Sequence, residues 1–243
     1  MPWDDVAPEV QTPDGPAEIL EDDQLRLIFT CCHPSLSEEA RIVLTLREVC
    51  GIPTEAIARA MLTRPTALAQ RIVRAKAKIR DACIPYQVSE EHELPERLTS
   101  VLRVIYLIFN EGYSSSAGDK VTNAELSQEA VRLARLLMSL LPVPEVTGLL
   151  ALLLLQESRR AARETQDGEL ILLGQQDRGL WDKALIQEGQ ALVETALLSG
   201  RFGAYALQAA IAAVHSNAAS LDETDWPQII GLYNALLRLE WSP

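Results

Sequence analysis

The 243-residue sequence has few cysteines, few histidines and few aromatic residues. Its four cysteines, Cys31, Cys32, Cys50 and Cys83, stand at irregular positions, which excludes a disulfide framework and favours a reducing, cytoplasmic compartment. The three histidines belong to no nucleophile or metalloprotease motif. We therefore predict no catalytic residue, no cofactor and no enzymatic activity.

The sequence also lacks a long hydrophobic run. The longest, from Leu149 to Leu155, is far shorter than the roughly 20 apolar residues that a membrane-spanning helix needs, and it predicts a buried helix instead. The first ten residues are acidic and contain no apolar core, so no secretory signal is predicted there. We expect no membrane partner.

Positive charge is scarce in the chain as a whole but concentrated in one segment. The formal net charge is −12. Residues 36–83 nevertheless carry nine cations and five carboxylates, and residues 59–80 carry seven cations and no carboxylate. Such an asymmetry suggests one module that faces nucleic acid and an acidic remainder that does not.

The cationic segment has the pattern of a helix-turn-helix unit. A short helix is predicted to begin at Thr54, with its hydroxyl as a cap, and a second begins at Pro65 after a three-residue turn. The second helix carries an apolar stripe of Leu68, Ile72, Ala75 and Ile79 beside a cationic stripe of Arg64, Arg71, Arg74 and Lys78. In such units the second helix enters the major groove of DNA.

These residues also carry a family resemblance. The runs LSEEARIVLTLREVCGIPTEAIARAM and RPTALAQRIVRAKAKIR resemble region 4 of the sigma-70-type sigma factors of RNA polymerase, specifically the extracytoplasmic-function (ECF) class. Residues 22–37 and the segment after Cys83 resemble one ECF subgroup, whose members carry a tetratricopeptide-like helical C-terminal extension. The resemblance implies a transcription initiation factor that binds the upstream, minus thirty-five promoter element and the β-subunit flap of RNA polymerase.

Two features depart from the family. The turn glycine that is common in region 4 is Leu62 here, which predicts a slightly different turn because glycine supplies positive φ most easily. Region 2, which precedes region 4 in the family, has no counterpart in this sequence, where only 21 residues precede Asp22. We therefore expect either an isolated part of such a factor or a shortened gene product.

The predicted fold is all-α. Residues 1–21 are rich in proline and acid and predict a tail or linker, residues 22–83 the helix-turn-helix domain, and residues 84–94 a short connection. Residues 95–243 predict a helical extension of paired helices with a degenerate tetratricopeptide-like pattern. We expect this acidic extension either to pack against the DNA-binding domain or to offer a surface to a protein partner.

The predicted DNA contacts divide by role. Thr66, Gln70, Arg71 and Arg74 lie in the part of the helix that reaches base edges, where Gln suits adenine and Arg suits guanine. Arg64, Lys76, Lys78 and Arg80 are predicted to position phosphates. The alternative is a helical-repeat protein-interaction module whose helix-turn-helix is only structural, with a solvated cationic face.

Three other clusters have a functional and a structural interpretation. Cys31, Cys32 and His33 could join a zinc site with Cys50 or Cys83, but adjacent cysteines fit tetrahedral spacing poorly, and we expect buried thiols and no metal. Residues 110–113, Asn-Glu-Gly-Tyr, look like a site, but we expect a helix end at Gly112. Three arginines, Arg159, Arg160 and Arg163, could bind an anion. We expect instead that they cap a helix and pair with the nearby acids Asp167, Glu169 and Asp177.

Overall fold

A computed structural model describes residues 23–84, 94–113, 120–165 and 169–240, and it confirms the all-α prediction. The predicted tail of residues 1–21 and nearly all of the predicted connection of residues 84–94 lie outside the described residues. The only pairing of β type in the described part is an isolated bridge between Glu164 and Leu170.

In the residues that the structure describes, the N-terminal part contains four α-helices: α1 (Asp23–Cys31), α2 (Glu38–Leu44), α3 (Thr54–Ala60) and α4 (Pro65–Asp81). The Oγ of Ser37 accepts a hydrogen bond from the amide of Ala40, which caps α2 as its sequence predicts. The predicted continuation of α2 to Val49 is a π-helical stretch, Thr45–Val49, rather than α-helix. Thr54 begins α3 without capping it, because Pro53 occupies the cap position.

The turn between α3 and α4 keeps a left-handed residue although that residue is leucine. Leu62 has φ +48°, and the amide of Thr63 donates to the carbonyl of Ala58 at 2.9 Å across the turn. This six-to-one hydrogen bond is the mark of a Schellman motif, which usually has glycine at the left-handed position. Our expectation of a different turn was therefore wrong. Leu62 is 78% exposed, so burial of its apolar atoms does not offset the energetic cost of the left-handed conformation.

The extension contains six further α-helices in the described residues: α5 (Leu94–Tyr113), α6 (Lys120–Leu140), α7 (Pro144–Glu157), α8 (Lys183–Leu198), α9 (Ala204–Asn217) and α10 (Trp226–Glu240). Helix α5 ends at Tyr113, one residue after the predicted end at Gly112, but Gly112 does not have the left-handed conformation that we predicted. Helix α7 ends at Glu157 and is followed by a 3₁₀ turn, Arg160–Ala162, whereas its sequence predicts one helix to Arg163.

Helix α7 forms the centre of the extension. All ten residues from Val146 to Leu155 are buried, because α6, α8 and α9 pack around it. Its close approach to α9 depends on Gly148, where an added Cβ would lie 2.6 Å from the backbone nitrogen of Ala206. None of the described helices is long and apolar enough to cross a membrane. The tetratricopeptide-like likeness of this helical region stays a prediction.

The extension packs directly on the N-terminal helices. One cluster of buried apolar residues runs from Ile28 in α1 to Leu154 in α7. A buried polar chain reinforces this contact: the Oγ of Ser100 donates to the carbonyl of Cys32 at 2.6 Å and accepts from Nη1 of Arg41 at 2.6 Å. At the rim, Nε of Arg103 lies 2.6 Å from Oε2 of Glu38. The extension is thus anchored through α1 and α2.

Candidate nucleic-acid interface

Helix α4 is anchored by one face and leaves the other in solvent. Leu68, Ile72 and Ala75 are buried, as their spacing predicts, and the helix packs mainly against α2 and α3. Pro65 occupies the first turn, where its missing N–H has no helical partner, and Arg64 holds the extended cap conformation before it. The anchoring therefore comes from the helices of the N-terminal part.

Seven of the eight predicted DNA contacts are exposed, and the eighth is half-buried. The exposed residues are Arg64, Thr66, Gln70, Arg74, Lys76, Lys78 and Arg80, and the half-buried one is Arg71. By helical spacing Thr66, Gln70, Arg74 and Arg80 lie opposite the packed stripe, and the other four lie at its flanks. A groove of DNA could approach this side without displacing any helix that α4 packs against.

Within this face the cations differ in what they contact. Nη1 of Arg71 contacts Oε1 of Glu39. Nζ of Lys76 lies 2.9 Å from Oε1 of Glu48. Arg64 and Arg74, in contrast, make no side-chain hydrogen bond or ion pair with any described residue.

Two further cations have partners on the protein. Nζ of Lys78 donates to the carbonyl of Ser35, and Nε of Arg80 lies 3.0 Å from Oδ1 of the adjacent Asp81. Both side chains are exposed, so these contacts are weak and open to competition by phosphate.

The pairing of Glu39 with α4 was not predicted from the sequence. The acids in the first turn of α2 were interpreted only as partners of the helix dipole, and the pairing depends on how the two helices cross.

The cysteines near α1 are part of the core. Cys31 and Cys32 are buried, and burial raises the pKa of both thiols, that of Cys32 to about 12. The Sγ of Cys32 lies 3.4 Å from Oγ1 of Thr45, and Nδ1 of His33 accepts from the amide of Ser35. Among the described residues no group of three metal-ligand side chains comes together.

The arginines after α7 do not have the partners that their sequence predicts. Arg160 pairs with Glu157, with Nε 2.5 Å from Oε1, and Arg163 donates to the carbonyl of Tyr113 at 2.6 Å. Asp177 instead accepts from the amide of Gly179, and no described arginine pairs with it or with Glu169. The expected pairing was wrong for these two acids, and Asp167 lies outside the described residues.

Comparison with known proteins agrees with this geometry. Residues 26–79 match the family described as sigma-70, region 4, and residues 97–197 match a family of unknown function (DUF6596). The chain is 47% identical over 223 residues to an uncharacterized protein of Rhizobium meliloti (strain 1021), a match that covers 91% of this chain and 53% of that protein. The chain thus spans about half the length of this relative. No solved structure matches this chain.

Proposed function

Because this chain carries a sigma-70 region 4 domain followed by a helical DUF6596 domain, as expected for an ECF-like sigma factor with a helical extension, we propose that it selects promoters for RNA polymerase. The helix-turn-helix would bind the upstream, minus thirty-five element. The same small domain would dock on the β-subunit flap of the polymerase. Both contacts belong to transcription initiation rather than to catalysis.

The observation that carries the proposal is the solvent-exposed cationic surface of α4. Arg74 is exposed with no protein partner among the described residues, and Gln70 and Lys78, one turn before and one turn after it, are exposed as well. In an acidic chain, a cluster of exposed cations along one helix attracts an anionic partner, and a DNA backbone is such a partner. The extension packs elsewhere, on α1, α2 and α3.

In the proposed complex, the two ends of α4 have different tasks. Its N-terminal half would enter the major groove, where Thr66, Gln70, Arg71 and Arg74 reach base edges. Arg64 at the start of the helix, with Lys76, Lys78 and Arg80 in its second half, would contact phosphates and set the register. Each phosphate contact releases condensed counterions, so the affinity would fall as salt rises.

The extension would stabilise and orient the DNA-binding helices. Its α5 contacts α2 through the ion pair of Arg103 with Glu38 and through Ser100, and α2 in turn supports α4. A protein partner on the surface of the extension would therefore act on a rigid neighbour of the DNA-binding helix. We propose such a partner as the source of regulation.

Binding to a duplex library that represents upstream promoter elements tests the proposal. The full chain is expected to select a consensus, and Arg74→Ala is expected to weaken binding to it by about 1–3 kcal/mol, which is about 5- to 150-fold. Arg71→Ala should weaken it in the same direction. The matched control is Arg201→Ala, which removes one exposed arginine from the extension and should leave the affinity unchanged.

The alternative, a protein-interaction module with a structural helix-turn-helix, gives a different result. It predicts no selected consensus, no dependence of binding on salt and equal behaviour of Arg74→Ala and Arg201→Ala. Unchanged binding in both Arg71→Ala and Arg74→Ala would remove the assignment of α4 as the recognition helix.

A further inference from the structure

A cavity of about 540 Å³ lies between helices of the extension, away from the DNA-binding face. Its walls come from α5, α7, α9 and α10, and from Arg159 and Leu173 in the segment between α7 and α8. This volume is within the range of sites that hold small molecules, and crevices between packed helices are common places for them.

One part of the cavity wall is apolar and aromatic. Tyr106 and Phe109 come from α5, Leu152 from α7, Ile211 from α9, and Tyr233 and Leu236 from α10. The ring of Phe109 stacks on that of Tyr113 with centroids 5.1 Å apart. Such a surface favours a ligand with a hydrophobic body.

Another part is polar and contains a cation. Asn110, Tyr113, Gln156, Arg159, Gln208 and His215 line it, and the described lining includes no carboxylate. The hydroxyl of Tyr113 lies 3.2 Å from Oε1 of Gln156, and Nη2 of Arg159 donates to both residues. These contacts fix the guanidinium at the cavity wall.

Arg159, the cation that lines this wall, forms no ion pair with a carboxylate in the described part of the chain. Arg163 and Arg178, which do not line the cavity, form none there either. Arg163 instead lies over the ring of Tyr113, 3.4 Å from its centroid, and Arg178 lies over Trp181 at 4.6 Å. Burial and the nearby Arg159 lower the pKa of both Arg163 and Arg178.

His215 has an unused polar atom at the same place. Its Nδ1 is buried and has no hydrogen-bond partner in the described structure, although its ring packs edge-on against Trp226. Burial, followed by the charges of Arg159 and Arg178, lowers its pKa. The lowered pKa favours the neutral imidazole, so the positive charges nearest His215 are those of Arg159 and Arg178. An anion would accept from Arg159, would accept from Nδ1 of His215 in the tautomer that carries its proton there, and would offset the repulsion between the two guanidiniums.

We propose that this cavity binds a small organic anion, with its negative head at Arg159 and His215 and its hydrophobic body against the aromatic wall. The head is a carboxylate or a phosphate, since both match the fork of an arginine. The binding site would make the extension a sensor of a small molecule. It does not depend on the proposed DNA binding.

Fluorescence titration with 8-anilinonaphthalene-1-sulfonate, an aromatic anion, tests the site in the full chain. The probe is expected to bind with one-to-one stoichiometry. Arg159→Gln and His215→Gln should each weaken it by about tenfold, the loss expected for one charge-assisted contact. Arg201→Gln, a change of an exposed arginine elsewhere, is the matched control and should have no effect.

The uncharged analogue N-phenyl-1-naphthylamine separates charge recognition from hydrophobic capture. Its affinity should be the same in the natural chain and in both variants, which also shows that the cavity remains folded. Displacement of the sulfonate probe by 2-naphthoate or by 2-naphthyl phosphate would identify the preferred head. Equal weakening of the charged and uncharged probes, no weakening in either variant, or displacement by neither competitor would overturn the proposal.

Discussion

The guanidinium of Arg71 on α4 contacts the carboxylate of Glu39 on α2, so a predicted base-contacting side chain is held by an acid of its own domain. Both side chains are partly exposed, at 33% and 53%. Ion pairs of this kind stabilise a protein by about 0–1 kcal/mol, which is less than a good base contact contributes. DNA could therefore take Arg71 from Glu39, at a small cost in affinity.

Glu39→Gln should increase affinity for DNA. The change frees Arg71 and removes a negative charge next to the proposed phosphate path, and we expect binding about fivefold tighter at low salt. Fluorescence anisotropy with the selected duplex measures this. Glu194→Gln, which removes an exposed acid from α8, is the control for net charge. Equal or weaker binding of the Glu39 variant would show that the pair does not compete with DNA.

Gln70→Ala and Arg80→Ala should separate base contacts from phosphate contacts. The first is expected to reduce discrimination at one base pair by about 1–3 kcal/mol without changing the salt dependence. The second should weaken all duplexes alike and reduce the slope of log affinity against log salt by about one. Binding across a panel of single-base variants at several salt concentrations distinguishes them. Identical profiles for the two variants would contradict the assigned roles.

Leu62→Gly should stabilise the protein. A leucine in the left-handed region costs about 1–2 kcal/mol, and the extra chain entropy of glycine when unfolded offsets about 0.5–1 kcal/mol of the relief. We expect a net gain of roughly 0.5–1 kcal/mol in the free energy of unfolding, measured by urea denaturation. Leu62→Ala is the control, because alanine keeps the strain and little buried surface is lost. Greater stability of the alanine variant would contradict this explanation.

An element of this fold is predictable when the sequence pattern that specifies it lies within that element. Helix α9 begins at Ala204 and ends at Asn217 as predicted, because a glycine precedes it and its alanine-rich pattern is continuous. The left-handed conformation of Leu62 was not predicted, because leucine disfavours it. The surrounding structure can hold a residue in such a strained conformation. Helix α5 ends within one residue of Gly112, but this glycine keeps helical conformation and does not take the left-handed position.

The cationic surface of α4 and the cavity of the extension also differ in whether their residues lie close together in the sequence. The cationic side of α4 follows from helical spacing within one segment, so its residues could be predicted from residues 64–80 alone. The extension cavity unites α5, α7, α9 and α10, and no spacing brings Tyr113 and His215 together. Arg159 was visible in the sequence, but its lack of an acidic partner in the described residues depends on tertiary packing.

Ser100→Ala tests how tightly the extension is joined to the N-terminal helices. The substitution leaves the carbonyl of Cys32 and the guanidinium of Arg41 without their buried partner, which should cost about 1–3 kcal/mol in the free energy of unfolding. Because one apolar cluster joins the N-terminal helices to α5, α6 and α7, helix content and tryptophan fluorescence should be lost in one transition. Ser139→Ala, at an exposed position on α6, should change stability little. Two separate transitions would show independent units.

Gly148→Ala and Gly231→Ala compare the same substitution inside two helices with different surroundings. Alanine raises helix propensity by about 1 kcal/mol at either position. At Gly148 its Cβ would lie 2.6 Å and 2.7 Å from backbone atoms of Ala206, and backbone cannot rotate away as a side chain can. At Gly231 on α10 nothing lies within 4 Å of the added carbon.

Overpacking costs about 1–3 kcal/mol, so Gly148→Ala should be neutral to about 2 kcal/mol destabilising, whereas Gly231→Ala should stabilise by about 1 kcal/mol. The difference between their unfolding free energies, measured in urea, isolates the steric term, and equal values would show that α7 and α9 are not in close contact at Gly148.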